Sequence, residues 1–175
     1  MKLLIGLGGN TGDVAAAFAR AAAALAACSR LLGSSGLWRS AALGPAQPDF
    51  LNAAVLLEID VHPHDVFVVC RRLEQAAGRQ REVETRWGPR PLDLDLLAAE
   101  DLVIESPALT LPHPRFAARR FALLPAAELA PRWVHPRAHR TLAELAAALD
   151  ATPQPCERIA AFPALPGSTQ SAADR

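Results

Sequence analysis

Arg86-Trp87-Gly88-Pro89-Arg90-Pro91-Leu92-Asp93-Leu94-Asp95-Leu96-Leu97 is the stretch around which the rest of the chain is organised. Its second half alternates leucine with aspartate. Successive side chains of a β-strand point to opposite faces, so Asp93 and Asp95 share one face and Leu92, Leu94 and Leu96 the other. Two strand residues on one face lie about 6.5–7 Å apart, close enough for both carboxylates to reach one cation or a neighbouring pair. Like charges so placed repel unless something positive lies between them. Short carboxylates suit Mg²⁺, which completes its shell with water and phosphate oxygens. Arg86 and Arg90 precede the strand with Trp87 between them, and guanidinium forks bind phosphate in a bidentate way. The plainer reading of the same alternation is an amphipathic strand with one solvated face.

The 175 residues fit one domain with a real core, and 51% hydrophobic content excludes general disorder. The charge balances, 18 basic against 18 acidic residues, which argues against a nucleic-acid or membrane-surface binder. Cys28, Cys70 and Cys156 show neither a pairing nor a zinc spacing, so a reducing cytoplasm is expected. No signal-peptide pattern and no membrane-length apolar window is present.

Upstream, residues 2–8 read as a buried strand running into the turn Gly8-Gly9-Asn10-Thr11-Gly12-Asp13, with Asp13 capping a helix over 14–29. The turn lacks the spacing of a Walker or dinucleotide loop. A second strand is expected over 31–42, then an irregular loop from Leu43 to Leu51, then a strong strand from Asn52 to Asp60. In that loop Phe50 and Leu43 either anchor to the core or wall a flat ligand. Pro63 opens a helix that Gly78 ends, with Glu74 near its close. The polar run 79–86 reads as a long loop. Its arginines Arg79, Arg81 and Arg86, with Arg90 just beyond, suggest a lid that closes on a phosphate ligand. Downstream, a short edge strand over 102–104, a helix around 116–128 and a last helix over 142–149 are expected. Pro112 and Pro114 flank His113 and hold it rigidly, whereas Pro136 breaks the helix that a zinc pair from His135 and His139 would need. Residues 151–175, rich in proline, alanine and serine, read as a loosely attached tail behind a domain over 1–150.

Together these pieces resemble the 6-hydroxymethyl-7,8-dihydropterin pyrophosphokinases of folate biosynthesis. The resemblance rests on Gly8-Gly9-Asn10, Leu43-Gly44-Pro45, Gln47-Pro48-Asp49-Phe50-Leu51-Asn52-Ala53, the Arg86–Asp95 stretch, Leu111-Pro112-His113-Pro114, and Arg119 with Phe121. It implies an α+β, ferredoxin-like fold in one domain. It implies transfer of pyrophosphate from ATP to the pterin hydroxymethyl group, with two Mg²⁺ ions on Asp93 and Asp95. It assigns Glu74, Arg79, Arg81, Arg86, Trp87, Arg90, His113 and Arg119 to ATP, with Arg79 and Arg90 also serving catalysis. The pterin would lie between Phe50 and Phe121, read by Asn52, with Trp87 alongside and Leu43 in the wall. The small-molecule substrates would be the only partners, with no nucleic acid and no membrane, and the protein a cytoplasmic monomer. The chain departs from the family pattern at Gly9, usually serine, at Ala108, and at Ala99-Glu100. A nucleotidyltransferase and an arginine-loop nucleic-acid module are the competing readings.

Overall fold

The computed structural model describes residues 1–42, 44–81, 88–149 and 155–166. In chain order the elements are β1 (Lys2–Gly9), α1 (Val14–Cys28), β2 (Arg30–Ser34), β3 (Leu37–Ser40), β4 (Phe50–Glu58), α2 (Pro63–Ala76), β5 (Asp93–Ala99), β6 (Ile104–Glu105), β7 (Thr110–Leu111), α3 (Arg120–Leu129), α4 (Leu142–Ala148) and β8 (Cys156–Ala160). The main sheet runs β5-β1-β4-β3-β8, with β2 also on β4. Each of its pairings is antiparallel.

Alternation along β1 divides the core into two layers. Leu3, Ile5 and Leu7 face α1 and α2, joining Phe18, Leu25, Val66, Cys70 and the leucines 92, 94 and 96 in and before β5. Leu4 faces the other way, onto Phe116, Leu123, Ala126, Leu142 and Leu145. The result is an α+β, ferredoxin-like arrangement of one antiparallel sheet with helices packed on it. Local chemistry sets the helix ends. Asp13 caps α1 by accepting from the Ala16 N–H at 3.0 Å. Gly78, at φ +95°, turns the chain out of α2.

The structure differs from the sequence expectations in several places, among them the edge strand expected over 102–104, which is Ile104–Glu105. The strand expected over 31–42 is two strands. Between them Ser35 is buried, and its hydroxyl accepts from the Ala54 N–H at 2.9 Å. Phe50 and Leu51 begin β4 instead of ending a loop. The helix expected around 116–128 is a short 3-10 turn, Phe116–Ala118, and then α3, divided by Arg119 in extended conformation. The segment read as a loose tail contains β8, paired to β3 from Leu37↔Ala160 to Ser40↔Cys156. Beyond it Phe162 and Leu165 pack on the first core layer.

Candidate active site

Gly6 and Gly8 open the site. On β1 they lie on the face opposite Ile5 and Leu7, and they pair with Asp95 and Asp93 of β5. Gly8 also pairs with Asn52 of β4, so it lies between an acid and an amide. A Cβ at Gly8 would stand 3.8 Å from both Asn52 Oδ1 and Asp93 Cβ, and one at Gly6 would come within 3.3 Å of the Leu97 side chain. Absent side chains on β1 thus leave a floor between the two neighbouring strands. Over it is a cavity of about 430 Å³ lined by Gly6, Gly8, Ser40, Phe50, Asn52, Arg79, Arg81, Arg90, Asp93, Asp95, His113, Arg115, Arg119 and Phe121, among others.

One side of this cavity is a network of charges. Glu74, 1% exposed on α2, accepts from the Leu94 N–H at 2.8 Å and pairs with Arg79 at 2.8 Å, Arg81 at 2.7 Å and Arg71 at 3.1 Å. Burial pushes its carboxyl up to about 7, against the opposing pull of the Leu94 N–H and Arg79. Arg79 bridges from Glu74 to Asp93. Arg90 holds the other Asp93 oxygen at 2.9 Å. Burial works against the Asp93 carboxylate, but the Arg79 and Arg90 charges outweigh it and hold its carboxyl below the usual range.

Asp95 has the reverse environment. Burial first, and the Asp93 charge second, push its carboxyl up. A half-buried acid beside a second acid is a place where added positive charge is stabilising. Among the described residues no three His, Cys, Asp or Glu side chains are arranged around one metal position. Two carboxylates with room for water and phosphate oxygens nonetheless suit Mg²⁺, which rarely takes an all-protein cage.

The far wall carries His113 and Arg119. The His113 N–H donates to Leu97 O at 2.8 Å, fixing the turn against β5. Its Nδ1 accepts from the Arg115 N–H at 3.2 Å, which leaves Nε2 to carry the proton as a donor. Burial lowers its pKa, Asp95 opposes that, and Arg119 and Arg115 reinforce it, so the surroundings favour the neutral ring. Each pocket phenylalanine lies by a guanidinium, Phe50 with Arg90 at 5.8 Å and Phe121 with Arg119 at 5.4 Å.

Asn10 ties the motifs together. Its Nδ2 donates to Gln47 Oε1 and to Pro48 O, both at 3.0 Å, and its Oδ1 accepts from the Arg90 N–H at 2.9 Å. Gly9 is accounted for by the same close approach, since a Cβ there would lie 2.7 Å from Pro91 O. The hydroxyl this chain lacks at that position would need the Pro91 backbone to move.

Of the residues singled out from the sequence, Arg79, Arg81, Arg90, Asp93, Asp95, His113, Arg119, Phe50, Asn52 and Phe121 all line this cavity. Glu74 is not among the lining residues; it holds Arg79 and Arg81 from behind. Asp93 is not on an open solvated face, being 22% exposed and paired to Arg79, Arg90 and, at 3.7 Å, Arg81. Arg79, read as part of a free loop, is buried, its side chain 3% exposed. Leu43, Arg86, Trp87 and most of the expected lid lie outside the described residues. Sequence reasoning passed over Ser40, Asn10, Gly6 and Arg115 as separate contributors to the site. The signal for Arg115 was its place two residues after His113 in the same proline-flanked turn.

A ferredoxin-like sheet whose open face pairs two acids within a ring of arginines, beside aromatic and amide groups, defines a class of phosphate-handling transferase. The comparisons with known proteins narrow the class. Residues 4–131 match the family described as 7,8-dihydro-6-hydroxymethylpterin-pyrophosphokinase, and the chain belongs to that family. It is 40% identical over 166 residues to the 2-amino-4-hydroxy-6-hydroxymethyldihydropteridine pyrophosphokinase of Synechocystis, covering 94% of this chain and 80% of the relative. It is 41% identical over 161 residues to the protein of that name from Methylorubrum extorquens, covering 90% and 98%. Among solved structures, the Plasmodium falciparum HPPK-DHPS shares the fold with a TM-score of 0.64 at 12% identity. That match covers 84% of this chain, which spans 45% of the longer structure.

Proposed function

We propose that this cavity is where the family reaction takes place, with the residues above in defined roles. The protein is an ATP-dependent pyrophosphokinase of folate biosynthesis, transferring pyrophosphate to hydroxymethyldihydropterin. The observation that carries the site assignment is the meeting of Asp93, Asp95, three loop arginines, Phe50, Asn52 and Phe121 around one cavity.

In this reading the pterin lies between the Phe50 and Phe121 rings, a geometry that suits flat heterocycles. Asn52 reads its polar edge. The triphosphate lies across Arg79, Arg81, Arg90 and Arg119, with the His113 Nε2–H as a neutral donor. Phosphoryl-type transfer depends on alignment and charge neutralisation more than on covalent help. The pterin hydroxyl oxygen bonds to the β-phosphorus as the bond from that phosphorus to the oxygen bridging to the α-phosphorus breaks. AMP leaves with the bridging oxygen, and the hydroxyl proton passes to water. Asp93 and Asp95 would hold Mg²⁺, two ions in this proposal, which would neutralise the charge developing on the phosphate oxygens. Glu74 acts through Arg79 and Arg81, keeping both guanidiniums turned toward the cavity.

The test is to incubate the protein with ATP, Mg²⁺ and hydroxymethyldihydropterin and follow the products. AMP together with the pterin diphosphate is expected. Pyrophosphate released with an adenylylated product would instead mark a nucleotidyltransferase.

A further inference from the structure

The two carboxylate oxygens of Glu74 have different partners. Oε1 accepts from the Leu94 N–H at 2.8 Å, from Arg79 Nη1 at 2.8 Å and from Arg81 Nη2 at 2.9 Å. Oε2 accepts from Arg81, through Nη2 at 2.7 Å and Nε at 3.2 Å, and from Arg71 Nη1 at 3.1 Å. The three guanidiniums are not equally placed. The Arg79 side chain is 3% exposed, whereas that of Arg81 is 43% exposed, and both line the cavity. Arg71, three residues before Glu74 on α2, is not among the lining residues. Its guanidinium lies 4.5 Å from the centre of the Phe67 ring, a cation–π contact that holds it beside Glu74.

From this geometry we propose that Arg71 is a positioning residue for nucleotide binding, the counter-charge that stays on Glu74 Oε2 when Arg81 turns to the triphosphate. The inference rests on the reading of the cavity as a triphosphate site. Arg81 gives Glu74 its Nε–Nη2 edge, the kind of edge with which a guanidinium grips a phosphate in two bonds. Turning that edge to a ligand takes those bonds from Glu74. Oε1 then keeps Leu94 and Arg79, but among the described residues Oε2 keeps Arg71 alone. A buried carboxylate oxygen without a partner is costly, because no water replaces the lost donor. In the absence of Arg71, Glu74 therefore holds Arg81 more tightly, and the triphosphate meets a stronger competitor for it. Arg71 acts through Glu74 and Arg81, without touching the nucleotide.

The test measures the affinity of a non-hydrolysable ATP analogue with Mg²⁺ near pH 8.5, above the value of about 7 to which burial pushes the Glu74 carboxyl, so that the carboxylate is ionised. Arg71→Met keeps an apolar stem against Phe67 and removes the charge. It is expected to weaken the analogue by about tenfold, the scale of one hydrogen bond to a charged group. Arg71→Lys returns a cation and should recover most of the affinity. In an Arg81→Ala background no arginine has to leave Oε2, so adding Arg71→Met should change the affinity by less than about twofold. No loss in Arg71→Met, no recovery in Arg71→Lys, or an equal loss in the Arg81→Ala background would each overturn the role of Arg71. The last of these would mark a direct contact between Arg71 and the nucleotide. Melting curves report folding, and an Arg71→Met chain that does not fold would assign Arg71 to stability alone and overturn the role as well. A wild-type protein that binds no analogue would instead overturn the reading of the cavity itself.

Discussion

Asn10 and Arg90, 80 residues apart, are joined twice: the Asn10 N–H donates to Arg90 O at 2.9 Å, and Asn10 Oδ1 accepts from the Arg90 N–H at 2.9 Å. The end of β1 and the start of the aspartate motif are thus fixed to each other through the backbone. The Asn10 side chain also reaches Gln47 and Pro48, so one amide sets the position of the loop before Phe50. Asn10→Ala removes all three side-chain bonds and leaves the Arg90 N–H without its acceptor. A destabilisation of about 2–3 kcal/mol is expected, from several buried polar groups losing partners together. Denaturant titration checks it, and an unchanged midpoint would show that water replaces the amide.

Asp93 and Asp95 should separate in stability although both should be needed for activity. Asp93→Asn removes the charge that Arg79 and Arg90 hold, so the variant should lose about 1–3 kcal/mol. Asp95 has a raised pKa in the fold. Wild-type stability is therefore eroded as pH rises from the unfolded carboxyl value through the folded one. Asp95→Asn removes that cost and should melt at or above the wild-type temperature while losing most turnover. Melting curves at pH 7 and one activity assay decide both. Near-normal turnover in either variant at saturating Mg²⁺ would remove the metal role.

The pairing of Asp93 with Asp95 was legible because strand alternation depends on neighbours in sequence, and the two-sided core follows from the same period along β1. What was not legible depends on contacts between distant segments. The burial of Arg79 requires knowing that Glu74 is aimed at it from α2. The Ser40–Asn52 contact requires the register of β3 against β4, which a glycine-containing segment read as one strand did not supply. β8 was missed because Cys-Glu-Arg-Ile-Ala carries only a short apolar alternation and is followed by prolines. Its place is set by partners on β3 and α3.

The cysteines should report burial directly. Cys70 is fully buried, and burial first, with Glu74 second, pushes its thiol up to about 12. Cys156 is pushed by burial to about 11. Cys28 is exposed. Thiolate is the reactive form, so a disulfide reagent at pH 8 should label Cys28 quickly, Cys156 slowly, and Cys70 only after unfolding. Peptide mapping of the labelled protein gives the order. Rapid labelling of Cys70 in the native state would contradict the packing of α2 on the sheet.

Phe50→Ala and Phe121→Ala should each weaken pterin binding by about 1–2 kcal/mol, from lost stacking and apolar contact. Nucleotide affinity should change far less. The two rings come from different elements, β4 and α3, but share one ligand between them, so the double variant should show coupling between the two losses. Calorimetric titration with each ligand measures this. Equal losses for pterin and nucleotide would return both rings to a purely structural role.

Truncation after Pro155 should destabilise the protein, against the sequence expectation of a loosely attached tail. It would strip β8 from β3, leaving the backbone groups of Leu37 to Ser40 without their outer partners. It would remove Arg158, which holds Glu128 at 2.9 Å, and Glu157, which pairs with Arg39. Exposed ion pairs of this kind contribute only about 0–1 kcal/mol each, so they are not the main loss. Glu128 also accepts from the Trp38 indole at 2.7 Å and from the Gly36 N–H, and those bonds survive truncation. Strand pairing contributes more, as do the apolar contacts of Phe162 and Leu165 with the first core layer. Losing two such side chains corresponds to about 2–4 kcal/mol at 1.5–3 kcal/mol for each full burial, reduced because both are only partly buried. β3 also carries Ser40, which lines the cavity and touches Asn52, so the truncated protein should lose more affinity for pterin than for nucleotide even where it remains folded. Thermal melting of the chain ending at residue 155, beside a double variant Phe162→Ser/Leu165→Ser in the full chain, separates strand pairing from apolar docking. A truncated protein that melts with the wild type would show that neither contributes, and that β3 is stable as an open sheet edge.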